Sequence, residues 1–374
     1  METAHPRQRR ASRRQVVAAV ALLGGSLALA ACGGSSGSGG TSGGGGGGGK
    51  VGVSLILKTL TNPYFVTMKN DAQKAADQAG VNLSVAGGKS DGDTQTQIAA
   101  IDNAISRGDK GILITTNGNA INSALQRAKQ AGIYIVALDT VLTPASTADI
   151  TYATDNEQAG KLIGQYAAAK LAGQKAVIAM LDLNQQQVIS VDVQRDHGFL
   201  EGMGIDPGSK TQNGQEAKTG HYTGGKGGDY EVACHQPTQG AVPGGKSAME
   251  NCLSSNGNIN VVYTINEPAA DGALQALKAA GKSNVIVVTI DGSCNYVNGL
   301  VKQGKIAADA VQYPGKMAAL GVSSIAKLAR GGSKPSVTNG KSFYDTGTAL
   351  VAAKALDGLT VQSPSQAASA CWGS

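Results

Sequence analysis

The chain has 374 residues, 41% hydrophobic and 16% charged, which is enough apolar material for two ordinary domains and excludes a disordered or fibrous protein. Of its 32 basic and 26 acidic residues, Arg7, Arg9, Arg10, Arg13, Arg14 and Glu2 fall within residues 1–31; subtracting five and one leaves 27 against 25, a formal +2. So even a balance provides no clustered basic face and excludes nucleic acid as a partner.

In chain order, the arginines lead into an uncharged run over residues 16–31, too short to span a bilayer and suited to the core of an export signal. The run ends in Leu29-Ala30-Ala31-Cys32, which resembles the lipobox of bacterial lipoproteins. That resemblance implies cleavage before Cys32 and a lipid on its thiol, so that the membrane is met through the anchor alone. Ser12-Arg13-Arg14-Gln15-Val16-Val17 resembles a degenerate twin-arginine signal, and both that route and the general secretory one stay open. Residues 33–49 are all Gly, Ser or Thr, a flexible tether with a reach of about 20–25 Å.

From residue 51 onward, short apolar runs (51–57, 83–86, 111–115, 134–138, 176–181, 260–265 and 285–290) alternate with amphipathic stretches (64–79, 94–107, 121–131, 159–171, 194–203, 269–280 and 316–328). Continuous apolar strands alternating with helices predict parallel sheets covered on both faces. Ligands of such sheets sit beyond the carboxyl ends of the strands. There the sequence places Lys58 through Asn62, Thr116-Asn117, Asp139-Thr140, Asn266-Glu267 and Asp291-Gly292. Residues 205–247, rich in Gly, Lys, Thr and Gln, read largely as a long surface loop.

Besides Cys32 there are Cys234, Cys252, Cys294 and Cys371, an even number that favours two disulfides in an exported chain. Of the three pairings possible, Cys234 with Cys252 would close the glycine-rich excursion and Cys294 with Cys371 would pin the C-terminal tail. A metal reading of Cys234-His235 lacks further ligands at suitable spacing, so no metal or cofactor is expected. Asp91-Gly-Asp93 reads as a cap for the following helix rather than a calcium loop. Gly224-Gly-Lys-Gly-Gly228 lacks the context of a phosphate loop.

Thr59-Leu60-Thr61-Asn62-Pro63-Tyr64-Phe65 resembles the opening signature of ribose-type periplasmic binding proteins of sugar ABC transporters. Further stretches carry the same resemblance: Val136-Ala-Leu-Asp139, Arg195-Asp-His-Gly-Phe199, Asn266-Glu-Pro-Ala-Ala-Asp-Gly-Ala-Leu274 and Gln312-Tyr-Pro314. Within the family, Asp182-Leu183 and Tyr263 through Ala270 are most similar to the fructose-binding branch. The resemblance implies an α/β fold of two Rossmann-like lobes with parallel sheets, joined by a hinge of three crossovers. The first lobe would hold residues 50–153 plus 314–343, the second 154–313 plus 344–374. It implies a monomer that closes on a monosaccharide and delivers it to an ABC permease and its ATPase.

A sugar offers hydroxyls at its rim and C–H patches on its faces, which calls for planar polar side chains beside aromatic walls. By resemblance, Tyr64 or Phe65 stacks on the sugar and Asn62, Asn266 and Gln312 bond its hydroxyls. Asp139 and Asp291 end two strands and can accept charge-assisted hydrogen bonds. Arg195 falls in the motif that brings an arginine to the sugar, with Val193 as the alternative by spacing. Lys58 stands where ribose binders carry a small hydroxyl residue, and Thr140 where they carry arginine, so the pocket differs from theirs; Thr116 completes the set of strand-end contacts. An enzyme is not expected, since His197, His221 and His235 have no recognisable nucleophile beside them. A sensory input protein would share the same fold.

Overall fold

In a computed structural model describing residues 50–184 and 188–373, the first apolar run forms β1 (Val51–Leu57), buried from Val53 onward. The export signal, Cys32 and the tether lie outside the described residues. Asn62 ends the next loop and caps α1 (Pro63–Ala79), its side chain accepting from the Tyr64 amide; Gly80, at φ 63°, closes the helix. Pro63 suits the first turn, where its missing N–H costs nothing.

The chain continues through β2 (Val81–Gly87), α2 (Thr94–Arg107), β3 (Gly111–Ile114), α3 (Asn122–Gln130), β4 (Tyr134–Leu138) and β5 (Ile150–Ala153). It then crosses into a second lobe built from α4 (Asn156–Leu171), β6 (Ala176–Asp182), α5 (Ser190–Met203), β7 (Thr219–Tyr222), β8 (Gly228–Pro237), α6 (Val242–Ser255), β9 (Val261–Thr264), α7 (Glu267–Ala279), β10 (Ile286–Asp291), the single turn α8 (Cys294–Tyr296) and β11 (Ala308–Val311). A second crossing brings α9 (Pro314–Ala329) and β12 (Tyr344–Asp345) back to the first lobe, and a third places β13 (Ala349–Val351) and α10 (Pro364–Ala367) with the second.

The two sheets run β12-β5-β4-β3-β1-β2 and β13-β11-β10-β9-β6-β8-β7. Pairing is parallel except where β13 meets β11 and β7 meets β8. Each sheet is covered on both faces, with one apolar cluster per face in each lobe. This is the expected two-lobe α/β architecture.

Two expectations need correction. The segment 205–247 is loop only in part: residues 205–218 form neither helix nor strand, but β7 and β8 form a hairpin that extends the second sheet, β8 lying parallel to β6, and α6 begins at Val242. Its apolar signal is thin because an edge hairpin buries few side chains, here Tyr222, Tyr230 and Val232. The third crossing also comes later than 343, because Tyr344 and Asp345 pair with Tyr152 and Ala153 of β5. A two-residue strand leaves no periodicity to read.

Both disulfides have the expected pairing, Cys234–Cys252 joining β8 to α6 and Cys294–Cys371 tying the C-terminal tail to α8. The helices α4 and α5 meet backbone to backbone through four glycines. A Cβ on Gly160 or Gly164 would lie 2.3 Å from the Arg195 carbonyl oxygen or 2.1 Å from that of Phe199; one on Gly198 or Gly202 would come as close to the carbonyls of Glu157 and Lys161. Any side chain there would force the pair apart.

Candidate functional site

The carboxyl ends of β1 and β4 in one lobe face those of β6, β9 and β10 in the other across a cavity. Eight of the expected residues line it: Lys58, Asn62, Tyr64, Phe65, Asp139, Arg195, Asn266 and Asp291. Arg195 rather than Val193 faces it. On a helix, residues four apart share a face, and the residue sharing this one with Arg195 is Val191, also in the lining. Val193 points to a different groove beside His197 and Glu201.

Asp139 and Asp291 are the centre of the site. Both end strands, both are buried, and both have positive φ, 66° and 150°. Such conformations are costly for a side chain other than glycine and mark positions held by their surroundings. Arg195 lies between them, its Nη2 4.0 Å from Asp139 Oδ1 and its Nη1 3.7 Å from Asp291 Oδ1. The guanidinium is fixed by donating to Asn156 Oδ1 and to the Ile265 carbonyl, each at 2.8 Å. Asn156 in turn donates towards the Asp139 carbonyl at 3.4 Å, tying the second lobe's arginine to the first lobe's strand end at the first crossing.

Lys58 Nζ donates to Asp139 Oδ2 at 3.2 Å and to Thr140 Oγ1 at 3.0 Å, and lies 5.7 Å from the centre of the Phe65 ring. Burial works to raise the Asp139 pKa, but Lys58, Arg195 and the Thr140 hydroxyl outweigh it and leave the carboxyl below its ordinary value. Asp291 has less help: burial dominates and, with Asp309 and Asp139 nearby, carries it to about 7 against the opposing pull of Arg195 and Gln312. The two carboxyl groups therefore differ in charge near neutrality, one an acceptor and the other able to carry a proton.

Gln312 and Thr140 stand one step back from the cavity. Gln312 donates to Asp291 Oδ1 at 2.8 Å, and Thr140 to Asp139 Oδ2 at the same distance. Thr116 is not part of the cluster; its hydroxyl bonds the Gly118 backbone and shapes the turn after β3. Asn62 and Asn266 each spend an oxygen on a helix cap, to the Tyr64 and Ala269 amides. Asn266 also donates to the Gly240 carbonyl.

Sequence reasoning missed four lining residues, Asp91, Leu183, Val191 and Ile265. Of the Asp91-Gly-Asp93 pair, Asp93 is the helix cap, accepting from the Thr96 amide. Asp91 instead reaches the cavity, where burial, against the pull of Lys58, raises its carboxyl to about 6. Trp372 was missed as well: its Nε1 donates to the Asp291 carbonyl at 2.8 Å and its ring meets Tyr64 edge-on, 5.4 Å between centres. The tail thus braces Asp291 in one lobe and an aromatic wall in the other.

The free space in the cavity is about 30 Å³, room for about two waters. The Lys58 ammonium lines it between Asp139 and Phe65. What the arrangement offers is acceptors, donors and two aromatic faces converging from both lobes. That is recognition chemistry.

A family model described as a periplasmic binding protein domain matches residues 53–333. The ribose import binding protein RbsB of Escherichia coli is 32% identical over 280 residues, covering 75% of this chain and 85% of the relative. The D-apiose import binding protein of Actinobacillus succinogenes is 28% identical over 261 residues, 70% of this chain and 76% of the relative. Among solved structures, an ABC transporter periplasmic solute binding protein from Actinobacillus succinogenes with bound D-allose superposes with a TM-score of 0.67 at 25% identity, covering 81% of this chain and 98% of its own. A galactofuranose binding protein shares the fold, with a TM-score of 0.68 at 22% identity. With the family model spanning both lobes, the chain belongs to the periplasmic binding protein family, in the type I group of sugar-binding receptors that serve ABC transporters, and is a solute receptor rather than an enzyme.

Proposed function

We propose that the chain is the exported, lipid-anchored receptor of an ABC importer, closing on one monosaccharide and presenting it to the permease. The observation that carries this reading is the pair of strand-end carboxyls, Asp139 and Asp291, brought from opposite lobes onto one arginine beside Tyr64 and Phe65. A guest bonded to both lobes favours the closed state by the difference in its contacts between open and closed forms. The curated relatives named above import ribose and apiose, and fructose is the finer assignment that the sequence motifs favour. Lys58 and Thr140 make the wall beside Asp139 cationic and compact, which suits a ketose or aldose with adjacent hydroxyls at that edge.

Calorimetry of the purified protein with ribose, allose, apiose and fructose tests the reading. At least one sugar is expected to bind in one-to-one ratio, to be recovered unaltered, and to shrink the radius of gyration measured by X-ray scattering. Chemical conversion of the sugar, or silence across a broad carbohydrate panel, would overturn it. The anchor has its own test: Cys32→Ser is expected to release the protein from the membrane fraction, and full retention would refute lipidation at that residue.

A further inference from the structure

Beside the cleft, on the far side of Arg195, lies a group of ionisable side chains with no part in the site above. His235 on β8 is held at both nitrogens. Nδ1 is 2.8 Å from Asp182 Oδ2 at the end of β6 and 3.9 Å from Asp196 Oδ2 on α5, and Nε2 is 2.7 Å from Glu216 Oε1. Asp196 is fully buried, and neither of its oxygens receives a hydrogen bond from a described N–H or hydroxyl group, nor does Asp182 Oδ1; burial first, and then the adjoining Asp182 carboxyl with which it can share a proton, hold the Asp196 carboxyl well above its ordinary range. An uncompensated carboxylate in that position is costly and calls for a cation or a proton.

We propose that Asp182, Asp196 and His235 form a site for a divalent metal ion of the zinc class. One ligand atom from each lies within 4.8 Å of the others. Tetrahedral Zn²⁺ with ligands at about 2.0–2.2 Å sets neighbouring donors about 3.3 Å apart, and the observed 2.8 and 3.9 Å straddle that spacing. Glu216 completes the arrangement: by accepting from Nε2–H it fixes the tautomer that directs the Nδ1 lone pair at the two aspartates, the usual support for a metal-bound imidazole. Two carboxylates and a neutral imidazole compensate the charge of a divalent ion and leave a fourth position for water. Asp192 is not a ligand, since its oxygens accept from the Leu183 and Asn184 amides.

Spacing alone could not group the ligands, because they come from three elements, β6, α5 and β8; of the Cys234-His235 pair only the histidine is available, the sulfur being in a disulfide. Loading the site displaces one proton from His235 Nδ1 to solvent, which couples metal affinity to pH. The competing arrangement is metal-free: an imidazolium between Asp182 and Glu216. Burial opposes that charge, but the hydrogen bonds to both acids raise the His235 pKa to about 11. A bound ion would clamp α5 to the sheet one residue from Arg195, so the site sits where it can stiffen the cleft wall.

The test is equilibrium dialysis of the untagged, chelator-stripped protein against micromolar Zn²⁺ without sugar, so that its outcome is independent of the transport reading. Wild type is expected to retain one equivalent, with only nitrogen and oxygen donors in the X-ray absorption spectrum, and to melt at a higher temperature when loaded. Asp196→Asn and His235→Gln should abolish retention and the thermal shift. Glu216→Gln, which keeps the three ligands, should weaken binding by about 10–100-fold. His221→Gln, at the exposed pair with Asp229, should change nothing. No retention by folded wild-type protein, equal retention by the Asp196 and His235 variants, or sulfur in the ion's coordination would each refute the site.

Discussion

Arg195→Met is expected to lower stability by about 3–5 kcal/mol at neutral pH, the usual cost of removing one partner from a buried charge cluster, and to weaken sugar binding by about ten- to a hundredfold. The arginine is buried, fixed by Asn156 and Ile265, and is a cation shared by Asp139 and Asp291. Without it, Asp139 keeps Lys58 while Asp291 keeps only the Gln312 amide. The pH dependence has a definite sign. Losing a cation raises the folded-state pKa of each carboxyl, and a carboxyl whose pKa is higher folded than unfolded destabilises the protein as pH rises from its unfolded value through its folded one. Asp291 already sits near 7 in the wild type, through burial first. The Asp139 share of the gap between variant and wild type should therefore open already below pH 4, where its depressed wild-type carboxyl ionises, and the Asp291 share around pH 7 and beyond, so that the gap widens with pH throughout. Urea denaturation across that range checks it. A gap that is constant with pH would mean that Arg195 contributes packing and not charge.

The second large effect concerns the tail. The Cys294–Cys371 bond spans 77 residues of sequence, a loop for which chain-entropy arguments give about 4–5 kcal/mol of stabilisation. Cys294→Ser with Cys371→Ser is expected to lose about that much in urea denaturation and also to weaken sugar binding, because Trp372, next to the bond, braces the Asp291 carbonyl and Tyr64. The Cys234–Cys252 bond closes only 18 residues and should cost less, about 3 kcal/mol, with little change in affinity since it joins β8 to α6 away from the cleft. Equal effects on affinity from both double variants would mean that Trp372 does not transmit the tail's hold to the site.

Much of the fold can be read in the sequence where a strand is a sustained aliphatic run. β1 and β4 have the bounds their apolar runs predict, and the ends of β2, β3, β6, β9 and β10 shift by only one or two residues. Long strands buried on both faces write themselves as uninterrupted Val, Ile and Leu. The edge strands β7, β12 and β13, β8 beside β7, and the four-residue interior strands β5 (Ile-Thr-Tyr-Ala) and β11 (Ala-Asp-Ala-Val) carry no such run, and none of these six was read from the sequence. The cleft was legible in its polar members because they follow apolar strands at the edge where such sheets bind ligands, although the same position also serves helix caps, as at Asn62 and Asn266, and turns, as at Thr116. Its apolar wall was not: Leu183, Val191 and Ile265 look like any core residue. Asp182, Asp196 and His235 could not be grouped without the parallel β6–β8 pairing, which sets Met180 opposite His235.

The glycine contact between α4 and α5 has a mechanical consequence. α4 starts just past the first crossing, and α5 carries Arg195. With main chain resting on main chain, no cushion of side chains remains between them to absorb a twist. Rotation at Thr154 would arrive at the guanidinium almost undiminished, as in a lever without play, so a guest either seats the whole wall or none of it. Selectivity in such a device resides as much in stiffness as in the list of atoms touched.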